Sequence, residues 1–422
     1  MPSPQDQLRT VLTRAVHLVR WAVLGAGVGV IAGLSSFLFL ESLKWATNLR
    51  LDHPWLIFTL PAVGFGVGLA YHHVGGRAGA GNNLLLDEIH EPQAWVPRRM
   101  APLIYASTVV GHIAGASIGR EGTALQMAGG LTDHAARIAK VSGETRRVLL
   151  ITALAGGFSA VFGVPVAGCV FALEVQSIGR LRYDALVPCL SAALVGYWIV
   201  SGLGWDYGAA RVISGFDLDA ELVAKIVVAA VCFGFTATAF TRAVHGVDHL
   251  SSRWVPWPPL RAALGGVAIL GLVALAGSRD YLGLSTNIAD AALAGASVVT
   301  MAFAWKLVFT AASLGTGFRG GEVTPLFVIG ATVGATLGTL LHADVSLFAA
   351  LGFVSVFAAA ANTPLACAVM GMELFGGAIA VPVIIATVVA YSCSGEEGIY
   401  HSQRLDVPKA PRRPGPSGEA EV

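Results

Sequence analysis

Two stretches of the sequence set a glutamate between glycines and an apolar run: GREGT at 119–123 and GGEVT at 320–324. Each carboxylate stands just ahead of a hydrophobic segment, with Arg120 or Arg319 close by. A helix that begins inside a membrane exposes unpaired backbone N–H groups and the positive end of its dipole, which together attract an anion. Glycines such as Gly122 and Gly321 let the backbone come close to a small ion. An ionised carboxylate competes with that anion for the same donors and is costly in apolar surroundings, and protonation removes both conflicts. Glu121 therefore has the chemistry of an anionic plug that leaves on taking up a proton, coupling proton movement to anion movement. A lone glutamate in such a place also reads as the cap of a surface helix; its recurrence in two places favours the plug.

These motifs need elements to hold them, and the chain repeats itself. Glu121 matches Glu322 and Thr123 matches Thr324 at an offset of 201 residues. PVAGCVFALE at 165–174 matches PLACAVMGME at 364–373 at an offset of 199, each opening on proline and closing on glutamate. Two agreeing offsets imply two related halves, 21–205 and 218–403, joined by a linker at 206–217. Repeats of this kind in transporters are often inverted and hold their ligand at the midplane between them. Residues 1–20 read as a cytoplasmic amphipathic segment, and 404–422, rich in proline, glycine and charge, as a disordered cytoplasmic tail.

The 422 residues are 55% hydrophobic and 13% charged, with a mean hydropathy of +0.68. Uncharged runs of near-bilayer length recur from Trp21–Leu40 to Leu374–Gly395, so an all-α, polytopic membrane protein is expected. Some runs are too short or too long for upright spans, which predicts tilted, broken and re-entrant helices. A net charge of +1 without basic or acidic blocks argues against nucleic acid as a partner. Arginines and lysines gather at 9–20, 137–147 and 404–413, placing both termini on the inner side of the cell membrane. The five cysteines lie in apolar surroundings and read as core residues without disulfides. His72 and His73 read as interfacial, Asp87 and Glu88 as solvated or vestibular; no metal or cofactor is expected.

GREG, KLVFTAASLGTGFRGGEVTPLFVIGA at 306–331, GVPVAGCVFALEV at 163–175 and SGEEGIY at 394–400 together resemble the CLC family of chloride channels and anion/proton exchangers. The resemblance covers essentially the whole membrane part. It implies a homodimer with one pore per subunit, each built from an inverted repeat. It further implies that Glu121 is the gating glutamate, that Gly321 and Glu322 supply backbone donors to a central anion, and that the Tyr400 hydroxyl faces that anion. It sets Glu174 and Glu373 in dimer-interface segments, at helix ends near water.

Where chloride-handling relatives carry serine in a Gly, Ser, Gly, Ile, Pro turn, this chain reads GAGNN, with Ala80 in the serine position, then Gly81 and Asn82. Glu322 stands where those relatives have phenylalanine, and Val175 where chloride exchangers have an inward proton-handling glutamate. These departures resemble the fluoride-exporting branch, although Ala80 is not the residue most expected there. The implied function is fluoride/proton antiport, with Glu121 and Glu322 handling protons. Asn82, Thr324, Tyr400 and the backbone around Arg120, Gly122 and Gly321 would then desolvate a small, basic anion. The alternatives are chloride/proton exchange and a passive anion channel. From another class, GASI at 115–118 imitates an intramembrane serine hydrolase with Ser117 as nucleophile, but no spanning run offers a convincing histidine partner.

Overall fold

A computed structural model describes residues 4–208 and 211–409. Residues 410–422 of the expected tail, 209–210 of the linker and 1–3 lie outside the described residues. The first half runs through α1 (Pro4–Asp52), α2 (Leu60–Ala70), α3 (Asn82–His90), α4 (Met100–Ala114), α5 (Glu121–Ile138), α6 (Gly143–Phe162), α7 (Pro165–Glu174) and α8 (Leu186–Gly202). The second runs through α9 (Ala220–Trp254), α10 (Pro258–Ala276), α11 (Thr286–Leu293), α12 (Ala302–Thr316), α13 (Val323–Leu340), α14 (Val345–Ala361), α15 (Pro364–Phe375) and α16 (Ala380–Cys393). Helix by helix the second series repeats the first. The packing repeats too: α1 lies on α8 as α9 lies on α16, and α5 on α6 as α13 on α14. The halves meet chiefly where α2 packs on α10 and α7 on α15.

Among the described residues, seven helical segments are long and apolar enough to cross a membrane, and shorter apolar helices lie between them. This is an all-α, multi-span membrane fold with broken helices. The long α1 has 49 residues, about 73 Å at 1.5 Å per residue, against a hydrocarbon core of ~30 Å. Its residues 5–20 are exposed along the whole length, so the polar N-terminal segment continues the first span as helix. A short parallel contact of β1 (Ser177–Ile178) with β2 (Arg404–Leu405) pins the chain after Tyr400 to the first half.

The reason the glutamates land where they do is local. α4 and α12 each have 15 residues, and each ends on a glycine with positive φ, Gly115 (95°) and Gly317 (109°). Such left-handed caps turn the chain sharply out of the helix at no Cβ cost. Each cap is followed by a short loop that delivers a glutamate to the start of an 18-residue helix, α5 or α13. Where the two loops touch, Gly119 and Gly321 exchange backbone hydrogen bonds, 2.6 Å from the Gly119 N–H and 2.9 Å from the Gly321 N–H.

Candidate functional site

The bridge between Gly119 and Gly321 sets the starts of α5 and α13 against each other. Across it, the buried Glu121 side chain reaches the start of α13. Glu121 Oε2 accepts the Thr324 N–H at 3.0 Å and the Arg120 N–H at 3.2 Å, while Oε1 accepts the Thr324 hydroxyl. The Arg120 guanidinium lies 3.9 Å from Oε1. A carboxylate thus occupies the place that an anion would take at this helix terminus. Glycine is required beside it: a Cβ on Gly119 would come within 2.7 Å of Glu121 Oε2 and 2.9 Å of the Gly321 carbonyl.

Two cavities approach this point. One, of about 330 Å³, is lined by Ala80, Gly81, Asn82, Gly122, Gly321, Glu322 and Tyr400, together with Arg319. The other, of about 660 Å³, is lined by Arg120, Thr324, Tyr207, Arg211, Phe327 and Glu373. Glu121 lines neither and belongs to the partition between them. All the expected site residues therefore collect around one partition, although Ala80 and Tyr400 are 320 positions apart.

Details differ from the sequence reading. The Gly321 N–H is consumed by the Gly119 carbonyl, so Gly321 shapes the site and offers no donor; the N–H groups of Glu322 and Val323 have no backbone partner among the described residues. Thr324, the nearest partner of Glu322 in sequence, turns to Glu121 instead. Glu322 caps no N–H at the start of α13 and faces the smaller cavity. Ala80 brings no polar side chain. The amide of Asn82 hangs over the start of α5: a Cβ on Gly122 would meet its Nδ2 at 2.9 Å, and its Oδ1 is buried without a partner. Asn83 Oδ1 accepts the Ser402 N–H at 3.2 Å and so holds the segment that carries Tyr400. Tyr400 is buried edge-on against Phe171, with ring centroids 6.5 Å apart. Val175 is buried, and its carbonyl accepts the Gln403 side-chain N–H at 2.8 Å.

Several residues sit elsewhere than expected. Glu174 is buried away from water while Glu373 stays half-exposed, and both are spent on helix ends: Glu174 accepts the N–H groups of Leu365 and Ala366 at the start of α15, at 3.0 and 2.8 Å. Glu373 accepts those of Val166 and Ala167 at the start of α7, at 3.0 and 2.7 Å. Two antiparallel helices thus cap each other. Glu88 is buried, paired with Arg77 and Arg146, and accepts the backbone N–H groups of Gln93 and Ala94. Cys393 is exposed and Cys232 half-buried, whereas the other three cysteines are core residues, all of them free thiols.

Sequence reasoning missed Lys306. Its buried ammonium donates to Ser117 Oγ, Ser285 Oγ and the Tyr281 and Gly283 carbonyls at 2.7–3.2 Å. This ties the loop before Glu121 to the loop before α11. Ser117, also bonded to Thr310, is fully buried, so the hydroxyl is a strut with no room for an acyl substrate. The only advance signal was a lysine inside an apolar run, which demands partners wherever it lies.

The family profile described as voltage gated chloride channel matches residues 63–395. The chain is 46% identical over 396 residues to a protein of Pseudomonas syringae pv. tomato named "Chloride/fluoride channel protein", covering 92% of this chain and 87% of that one. It is 25% identical over 408 residues to the "H(+)/Cl(-) exchange transporter ClcA" of Salmonella paratyphi B, covering 88% and 84%. Among solved structures it superposes on a CLC-type fluoride/proton antiporter with a TM-score of 0.89 at 30% identity, over 92% of this chain and 98% of that one. A slow cyanobacterial Cl-/H+ antiporter shares the fold, with a TM-score of 0.73 at 19% identity over 89% and 93%. The chain belongs to the CLC family, the voltage gated chloride channel family of membrane ion-transport proteins.

Proposed function

We propose that this protein is a fluoride/proton antiporter that exports fluoride from the cytoplasm in exchange for protons. The observation that carries the reading is the Glu121 carboxylate held at the start of α13, between two cavities, by the N–H and hydroxyl of Thr324. Fluoride arriving from the smaller cavity displaces the carboxylate from these donors, and the carboxylate takes a proton from the side of the larger cavity and leaves as the neutral acid, so that anion and proton move in opposite directions. Fluoride in place of chloride is supported by the donor set. The Asn82 amide, the Thr324 and Tyr400 hydroxyls and the free N–H groups at the start of α13 are short, strong donors for a small basic anion. Glu322, unpaired at the same helix start, is the second proton carrier. The solved CLC-type fluoride/proton antiporter, matched at 30% identity, supports the same choice, while the Pseudomonas relative is named for both chloride and fluoride.

The smaller cavity faces the cytoplasm in this reading. It lies beside the segment 401–404, where Arg404, Arg147, Arg180 and Arg182 gather, as the positive-inside pattern requires. Both termini would then be cytoplasmic, in the cell's inner membrane. Homodimer formation is what the family resemblance implies, and exposed apolar side chains on four neighbouring helices, Val166, Leu186, Leu190, Leu365, Val381 and Ile384, offer a surface for it.

One observation favours a passive channel instead: Val175 leaves the expected inward glutamate position apolar. Purified protein in liposomes separates the readings. A fluoride gradient should drive protons uphill and a chloride gradient should not. Fluoride efflux without proton movement would establish the channel, and equal driving by chloride would establish a chloride/proton exchanger.

A further inference from the structure

The proton that Glu322 handles must reach the solution on the side of the smaller cavity, and Val175 offers no carboxylate for that step. The same cavity holds two imidazoles that nothing above has used. His245 projects from α9, and His401 directly follows Tyr400. Their rings meet with centroids 4.2 Å apart and planes inclined at 34°. Both line the cavity wall that also carries Glu322 and Tyr400. His245 is half-buried while His401 is exposed, so the pair spans from the cavity interior to its mouth.

We infer that the His245–His401 pair is the proton shuttle between Glu322 and the bulk solution, a role that rests on the exchange reading. Imidazole is the side chain that gains and loses a proton near neutral pH. Two rings in contact resist carrying two charges, so a proton received by one is readily passed on. The cavity has room for about ten waters at ~30 Å³ each, enough to connect the carboxyl to the rings. The proton leaves the Glu322 carboxyl, crosses this water, lands on a free ring nitrogen and is handed to buffer at the cytoplasmic mouth of the cavity; Glu322 is left as the carboxylate. The charged groups acting on His245 are Asp248 on α9 and Glu397 in the segment before Tyr400, and Asp248, Arg319 before α13 and Tyr71 after α2 line the same cavity.

The test uses full-length protein in weakly buffered liposomes at neutral pH, with fluoride efflux and proton uptake recorded together. H245Q/H401Q should slow both about tenfold, a loss suited to a removed acid–base group, with an unchanged ratio of fluoride to protons and unchanged half-saturating fluoride. Millimolar imidazole in both compartments should restore the rate. The exposed H401Q variant gives the same pattern at about threefold and serves if the double variant fails to fold. Full activity in the folded variants, or a loss that imidazole does not rescue, overturns the shuttle. Raised half-saturating fluoride at an unchanged maximal rate also overturns it and makes the pair an anion attractor. If wild-type protein itself shows no fluoride-driven proton movement, the exchange reading falls first and takes the shuttle with it.

Discussion

The repeat carries two pairs of matched glutamates, and they have gone different ways. Glu174 and Glu373 kept the symmetry: each closes its own helix and caps the other's first turn through two N–H groups. Glu121 and Glu322 broke it. Glu121 crosses to the start of α13, while Glu322, at that very start, turns to a cavity. In the first pair the carboxylates satisfy donors that would otherwise be orphaned, and any difference between the two halves would leave one helix end bare. In the second pair, equal behaviour would place two carboxylates on one site, which like-charge repulsion forbids. Symmetry therefore persists where each glutamate caps a helix and fails where the two would share one helix start.

The largest effect should come from removing the proton from the broken pair. Glu121→Gln keeps the hydrogen-bonding shape but carries no exchangeable acid, so fluoride-driven proton uptake should fall at least about a hundredfold. Proton transport at the wild-type rate would remove Glu121 from the mechanism. Next, Glu322→Ala should lower exchange by about tenfold or more while the protein still elutes as wild type, because no N–H depends on that side chain. Normal exchange from the folded variant would make Glu322 a structural residue and return the pair to a common role.

Gly119→Ala sharpens the comparison at the contact between the halves. Its Cβ would press on the Glu121 carboxylate and the Gly321 carbonyl; a strain of ~1–2 kcal/mol should cost turnover about tenfold. A fully active variant would show that the bridge tolerates displacement. The smallest functional effect belongs to the symmetric pair. Glu174→Gln should lower stability by ~1–2 kcal/mol through its weakened caps, read as an earlier thermal transition in detergent. Glu373→Gln, half-exposed, should cost less. Exchange per folded protein should stay within about twofold of wild type in both, since each carboxylate is committed to capping a helix. A dead but folded Glu174→Gln variant would place that pair in the transport path.

Much of this arrangement was legible in the sequence. The offsets of 201 and 199 residues announced two halves, and a glutamate flanked by glycines at an apolar run announced a helix start in the membrane. What stayed hidden was the partner of each polar group. Thr324 is two residues from Glu322 and 203 from Glu121, and it bonds the distant one, because α5 and α13 start face to face. The Gly321 N–H looked free in sequence and is spent on Gly119. Lys306 found its acceptors in two loops that only the fold brings together, and His245 meets His401 across 156 positions. Spacing along a chain reports which face of a helix a residue occupies; it does not report which turn of another helix lies opposite.

The paired hydrogen bonds between Gly119 and Gly321 have a consequence for energetics on the scale of the membrane. They fasten the backbone of both halves together beside Glu121, so on the exchange reading the cycle would turn on the swing of a side chain while the helices stay in place. A motion that small displaces almost no lipid and leaves the hydrophobic thickness of the protein constant. Turnover should then be indifferent to acyl-chain length and lateral pressure, unlike that of transporters whose repeats rock against each other in the bilayer.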